Sequence, residues 1–134
     1  MIKVIYSDYY SEITENILTS IRKRYSVVSS LHDKKINIDS YKVSGVWEIP
    51  YKINKLSVDF KYFIAVGVIV KGKTDHYEYL STAVVNALMN LTIYKDIYIA
   101  NCVLNVQDIS QAIERAESKG IEALDATINT ISNE

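Results

Sequence analysis

Apolar residues along this chain alternate between short unbroken runs and stretches where they recur every three or four positions. The longest run is Tyr62–Val70, free of charge and rich in β-branched residues. A strand in the middle of a parallel sheet, covered by helices on both faces, has this pattern. At Lys71 the polarity switches, and Gly72 is expected to give the freedom for a tight turn. Leu80, Val84, Leu88 and Leu91 then recur at helical spacing, so a strand, a glycine-containing loop and a helix follow one another.

Around that centre the pattern repeats. Residues 2–6 read as a short buried strand, and 7–11 as a polar junction. Ile13, Ile17, Ile21, Tyr25 and Val28 then mark an amphipathic helix running towards Leu31. His32 to Lys35 form a charged turn, and 36–43 alternate like a strand covered on one side. Pro50 suits the first turn of a short helix with Ile53 and Leu56 facing inward. Residues 96–104 are a further apolar strand. Asp108 and Gln111 are spaced as a capping box for a last helix. That helix has one face of Ile109, Ala112, Ile113 and Ala116, and beyond Lys119-Gly120 a second of Ile121, Leu124, Ile128 and Ile131. The order βαβαβαβα with short connections predicts an α/β fold of three αβα layers. Its four-stranded parallel sheet should have the flavodoxin-like order 2-1-3-4, with residues 1–134 as one domain.

Composition narrows the function. With 49% hydrophobic residues the chain is not disordered, and a formal net charge of -1 gives no reason to expect nucleic acid or an anionic membrane as partner. No apolar run approaches the ~20 residues of a membrane span. The first residues have no signal-peptide architecture, which points to the cytoplasm. The single cysteine, Cys102, lies in an apolar run and reads as a core residue.

Three strand ends carry unusual residues: Tyr9 after the first, Val46-Trp47-Glu48 after the second, and residues 72–76 after the third. In a parallel sheet these ends share one edge, the place where ligands bind. Aromatic rings, a carboxylate, a loop at a helix N-terminus and His76 suit a planar polar substrate beside an anion. Each residue also has a plainer reading. A histidine after a strand is usually a surface or capping residue, Trp47 could anchor a core, and Glu48 could cap the helix at Pro50. The dinucleotide and P-loop fingerprints are absent, and no cysteine–histidine cluster has metal-ligand spacing.

With these residues in view, the chain resembles the lumazine synthase family over nearly its whole length. Gly45-Val-Trp-Glu-Ile-Pro50 is similar to the family's Gly-Ser/Ala-Trp/Phe-Glu-Ile-Pro. Ala65-Val-Gly-Val-Ile-Val-Lys-Gly-Lys-Thr-Asp-His-Tyr-Glu-Tyr79 is similar to Gly-x-Val-Ile-Arg-Gly-x-Thr-x-His-Phe-Asp/Glu-Tyr. Gln111-Ala-Ile-Glu-Arg-Ala116 and Lys119-Gly120 match Gln-Ala-x-x-Arg-Ala and Asn-Lys-Gly, with a connecting segment about four residues shorter than usual.

The resemblance implies condensation of 5-amino-6-ribitylaminouracil with 3,4-dihydroxy-2-butanone 4-phosphate, without a metal or organic cofactor, in a homopentamer or an assembly of pentamers. It implies that Tyr9 stacks on the pyrimidine, that Val46 and Trp47 line a ribityl channel, and that Glu48 accepts hydrogen bonds from ribityl hydroxyls. Val68, Ile69 and Val70 would wall the ring site, Lys73 and Thr74 would offer backbone donors to the phosphate, and His76 would move protons. Asn101, Arg115 and Lys119 match positions that a neighbouring subunit contributes. The chain departs from the family at Asp8, Tyr10, Lys71, Asn101 and Cys102. Two other readings share the fold: a catalytically weak flavin- or lumazine-binding shell protein, and an archaeal-type riboflavin synthase. The motif at 72–76 fits lumazine synthase better than the latter.

Overall fold

The computed structural model describes residues 1–31, 35–72 and 76–134. Of the charged turn expected at His32 to Lys35, the first three residues lie outside the described ones, as do Lys73, Thr74 and Asp75. In chain order the elements are β1 (Ile2–Ser7), α1 (Ser11–Ser29), β2 (Ile38–Val43) and a 3₁₀ turn (Val46–Glu48). Then come α2 (Ile49–Leu56), β3 (Tyr62–Val70), α3 (His76–Lys95), β4 (Tyr98–Val106) and α4 (Ile109–Ser132). The strands form one parallel sheet in the order β2-β1-β3-β4.

β3 reads as expected because it sits inside the sheet with helices over both faces. Ile64, Val66 and Val68 join the core beneath α1 and α4, whereas Phe63, Ala65 and Ile69 join the core beneath α2 and α3. Alternate residues of a strand face opposite ways, so one uninterrupted apolar run serves two cores.

α1 runs on to Ser29 as the spacing of Tyr25 and Val28 predicts, and Tyr25 secures its last turns by donating from its hydroxyl to the Ile36 carbonyl at 2.6 Å. β2 differs from its expected one-sided alternation. It begins at Ile38, and Ser40, Tyr41 and Lys42 are all exposed at this outer strand. β4 begins two residues later than expected. Asp96 has φ 53° and ends α3 in the left-handed conformation, which aspartate tolerates better than most residues.

Lys3 is a charge inside a buried strand. It is 3% exposed, with Nζ 2.8 Å from Asp39 Oδ2 and 4.1 Å from the centre of the Phe60 ring. Burial pulls its pKa down, but hydrogen bonds to Asp39 and Tyr41 outweigh that and leave it raised.

α4 is one helix that runs straight through Gly120, and its buried face is Ala112, Ala116, Gly120, Ala123, Leu124 and Thr127. Ile109 and Ile113, expected on that face, are exposed instead. The small residues win because α1 lies very close. A Cβ on Gly120 would sit 2.8 Å from the Ile17 carbonyl oxygen and closer still to Ser20 Oγ.

Asp108 caps α4, although not as a reciprocal box. Its Oδ1 accepts from the Ser110 N–H at 3.0 Å, and Gln111 Oε1 accepts from the N–H of Gln107, one residue before the cap. Hydrogen bonds from the Ser110 hydroxyl and N–H hold the Asp108 carboxyl below its ordinary pKa. A depressed carboxyl adds stability above its unfolded pKa and loses it as pH falls through the folded value. Asp108→Ala is therefore expected to lower the denaturation midpoint at pH 7. Its difference from wild type should shrink steadily below pH 3.8, the ordinary value for this group, when both proteins are unfolded across a pH series.

Candidate active site

At the carboxyl edge, β1 ends in Ser7 and the chain turns through Asp8, Tyr9 and Tyr10 into α1. Thr14, buried on the first turn of that helix, fixes the junction: its hydroxyl donates to the Ser7 carbonyl at 3.2 Å and its N–H to the Tyr10 carbonyl at 3.0 Å. Tyr9 stands out from this turn, 82% exposed, with its ring edge-on to Tyr10 at 5.0 Å. Asp8, where the family commonly has a basic or amide residue, faces Lys42 of β2 at 3.2 Å.

The second strand end is held by packing. Val46 is buried against β3 because residue 67 is glycine: a Cβ there would lie 2.5 Å from Val46 Cγ1. Ile49 and Ile53 bury the next helix, with Pro50 in its first turn. Trp47 is thereby left on the surface, 64% exposed, and is not the core anchor of the plainer reading. Nor does Glu48 cap α2 with its side chain. Its carboxylate folds back over Gly45, so that a Cβ on that glycine would be 3.2 Å from Oε1. Gly67→Ala should force Val46 out of its seat. The expected destabilisation is about 1–3 kcal/mol by overpacking, with loss of ligand affinity, both readable by denaturant melts and titration.

At the third strand end the Lys71 N–H donates to the Val106 carbonyl at 2.9 Å, prolonging the β3–β4 ladder. Gly72 does not play the expected part. Its backbone is not left-handed, and a Cβ on it would meet nothing within 4 Å. Among the described residues nothing there demands a glycine sterically. His76 is the first residue of α3.

These ends enclose a cavity of about 440 Å³. Of the residues expected in the site, it brings together Tyr9, Val46, Trp47, Val68, Ile69, Val70 and His76. It is also lined by Ser7, Tyr10, Gly45 and Leu80, which the sequence did not single out as site residues. Gly45 and Tyr10 were legible as neighbours of the motifs, whereas Ser7 and Leu80 look like ordinary strand and helix positions.

Glu48 is beside the cavity without lining it. Asn101, Arg115 and Lys119 are elsewhere. Asn101 is exposed on β4, its Oδ1 accepting from the Val103 N–H at 3.0 Å. Lys119 lies 3.2 Å from Glu122 on α4. Arg115 is exposed on α4, a helix packed over the opposite face of the sheet from α2 and α3. Cys102 is buried, and burial pushes its thiol up to about 12, so it is a neutral core residue.

The family model described as 6,7-dimethyl-8-ribityllumazine synthase matches residues 1–134. The chain belongs to that family. It is similar to the 6,7-dimethyl-8-ribityllumazine synthase of Wigglesworthia glossinidia brevipalpis, 36% identical over 97% of this chain and 85% of the relative. The enzyme of the same name from Bartonella tribocorum is 31% identical over 96% of this chain and 86% of that protein. That of Buchnera aphidicola subsp. Baizongia pistaciae is 35% identical over 88% and 74%. Family membership makes the chain a lumazine synthase by fold and lineage, hence a transferase of riboflavin biosynthesis. Among the described residues no helix is long and apolar enough to cross a membrane.

Proposed function

We propose that this chain condenses 5-amino-6-ribitylaminouracil with 3,4-dihydroxy-2-butanone 4-phosphate to give 6,7-dimethyl-8-ribityllumazine, releasing phosphate and water. The observation that carries this reading is the single cavity in which Tyr9, Trp47, the end of β3 and His76 meet, on a chain of this family. Tyr9 stacks on the pyrimidine, and Val68, Ile69 and Val70 wall the ring. Val46 and Trp47 guide the ribityl chain towards Glu48, whose carboxylate accepts from its hydroxyls. Lys73 and Thr74 offer backbone N–H groups to the phosphate.

Condensation of the amine with the ketone, loss of phosphate and ring closure each move protons near neutral pH, which suits the His76 imidazole. A guanidinium binds two phosphate oxygens at once, which suits Arg115 to the leaving group. Holding both substrates in one cavity supplies much of the remaining acceleration.

Asn101, Arg115 and Lys119 act from a neighbouring subunit in this reading, and the protein works as a homopentamer or an assembly of pentamers in the cytoplasm. Val85, Met89 and Ile93 support subunit contact. They form an exposed apolar row at four-residue spacing on α3, a face that water does not favour. The test is to supply both substrates and follow the fluorescent lumazine. No formation above the uncatalysed rate would sink the reading. Riboflavin made from lumazine alone would point instead to a riboflavin synthase.

A further inference from the structure

Four buried side-chain atoms lack a hydrogen-bond partner among the described residues: Ser7 Oγ, Asp39 Oδ1, Ser81 Oγ and Asn105 Oδ1. Of these residues Ser7 is the one that lines the cavity. It is 2% exposed, so its hydroxyl has given up water without gaining a protein partner. That arrangement is unfavourable, because a buried hydroxyl keeps its desolvation cost until something bonds to it. Packing does not require it. Alanine would fill the same place on β1, and the Ser7 interaction that fixes the junction with Thr14 uses the backbone carbonyl.

The position of Ser7 selects the ligand. Along β1 it shares a face with Ile5, the face beneath α2 and α3, and its register partner is Val43 of β2. On its other side β1 is in register with β3 up to Tyr6 and Val66, and β3 runs on to Val70, so Ser7 stands several residues short of the β3–α3 connection where a phosphate is expected. Val46, Trp47 and Tyr9, which line the same cavity, offer flat or apolar surface. A heterocycle seated among them would otherwise bring polar edge atoms against carbon. Serine has a single side-chain torsion with three staggered wells, so turning the hydroxyl towards a bound molecule costs little.

We propose that the Ser7 hydroxyl is a substrate-binding group that hydrogen-bonds 5-amino-6-ribitylaminouracil and makes no contact with the butanone phosphate. The inference rests on the condensing function above.

Ser7→Ala tests it. KM for the ribitylaminouracil should rise about five- to thirtyfold, the effect of one lost hydrogen bond. KM for the butanone phosphate and kcat should stay within about twofold. The dissociation constant for 6,7-dimethyl-8-ribityllumazine, read by fluorescence titration, should weaken by the same factor as the first KM. The thermal midpoint of the unliganded variant should equal or exceed that of wild type, since an unpaired buried hydroxyl has been removed. Unchanged KM and lumazine affinity would overturn the proposal. So would equal losses for both substrates, or a lowered midpoint, which would make Ser7 a structural residue. If wild-type protein forms no lumazine, the condensing function falls. The lumazine titration, which needs no turnover, then decides Ser7 by itself.

Discussion

Reassembled from an equal mixture of Glu48→Ala and Arg115→Ala chains, the protein is expected to recover about a quarter of wild-type activity, although each parent is nearly inactive. The expectation follows from where the two side chains stand. Glu48 is beside the cavity, its carboxylate over Gly45, on the side of the sheet that α2 covers. Arg115 belongs to α4, which packs with α1 over the other side. It is six residues beyond Ile109, so it stands about 9 Å along the helix axis from the first turn. One chain thus has difficulty bringing its guanidinium to a phosphate held at the β3–α3 connection, whereas a neighbour in a head-to-tail ring does not. In a random ring, half of the rims carry intact Glu48. Half of the neighbours carry intact Arg115, and the product gives the quarter. Both variants and wild type should be unfolded and refolded alike, and lumazine formation compared. If wild type survives the treatment and the mixture stays as inactive as its parents, the shared site is wrong.

His76→Ala is expected to lower kcat by up to about a hundredfold, at the lower end of what a positioned acid–base group contributes, ~10²–10⁴. His76 stands at the head of α3 and lines the cavity together with Trp47 and Tyr9. The substrates keep their other contacts in the variant, so approximation still accelerates the reaction. Lumazine affinity should therefore change little while turnover falls, the pattern of a group that acts in the transition state. Full turnover in the variant would remove the proton-transfer role. A parallel loss of lumazine affinity would make His76 a binding residue instead.

Much of the fold was legible because periodicity is local. The apolar run of β3, the helical spacing in α1 and α3, Pro50 at the start of α2 and Asp108 before α4 each state a conformation within a few residues. The strand ends followed, since a parallel order places them on one edge without further information. Seven of the expected site residues then fell around one cavity.

What the sequence left open depends on how closely two distant segments approach, a distance no one-dimensional pattern contains. Gly67 and Gly120 look like weak points in a strand and a helix. They are instead the places where Val46 and α1 come too near to admit a methyl group. That same approach turned Ile109 and Ile113 outward and gave the buried face of α4 to alanines and glycine. Lys3 was read as part of a buried strand. Asp39 and Tyr41 of β2, with Phe60 from the connection before β3, are what allow its charge to stay there. Ser7 is the same lesson at the site. A serine at the end of a strand is unremarkable in sequence, and its lack of a partner exists only once the walls around it have closed, because hydrogen-bond satisfaction belongs to the whole packed chain and not to any stretch of it.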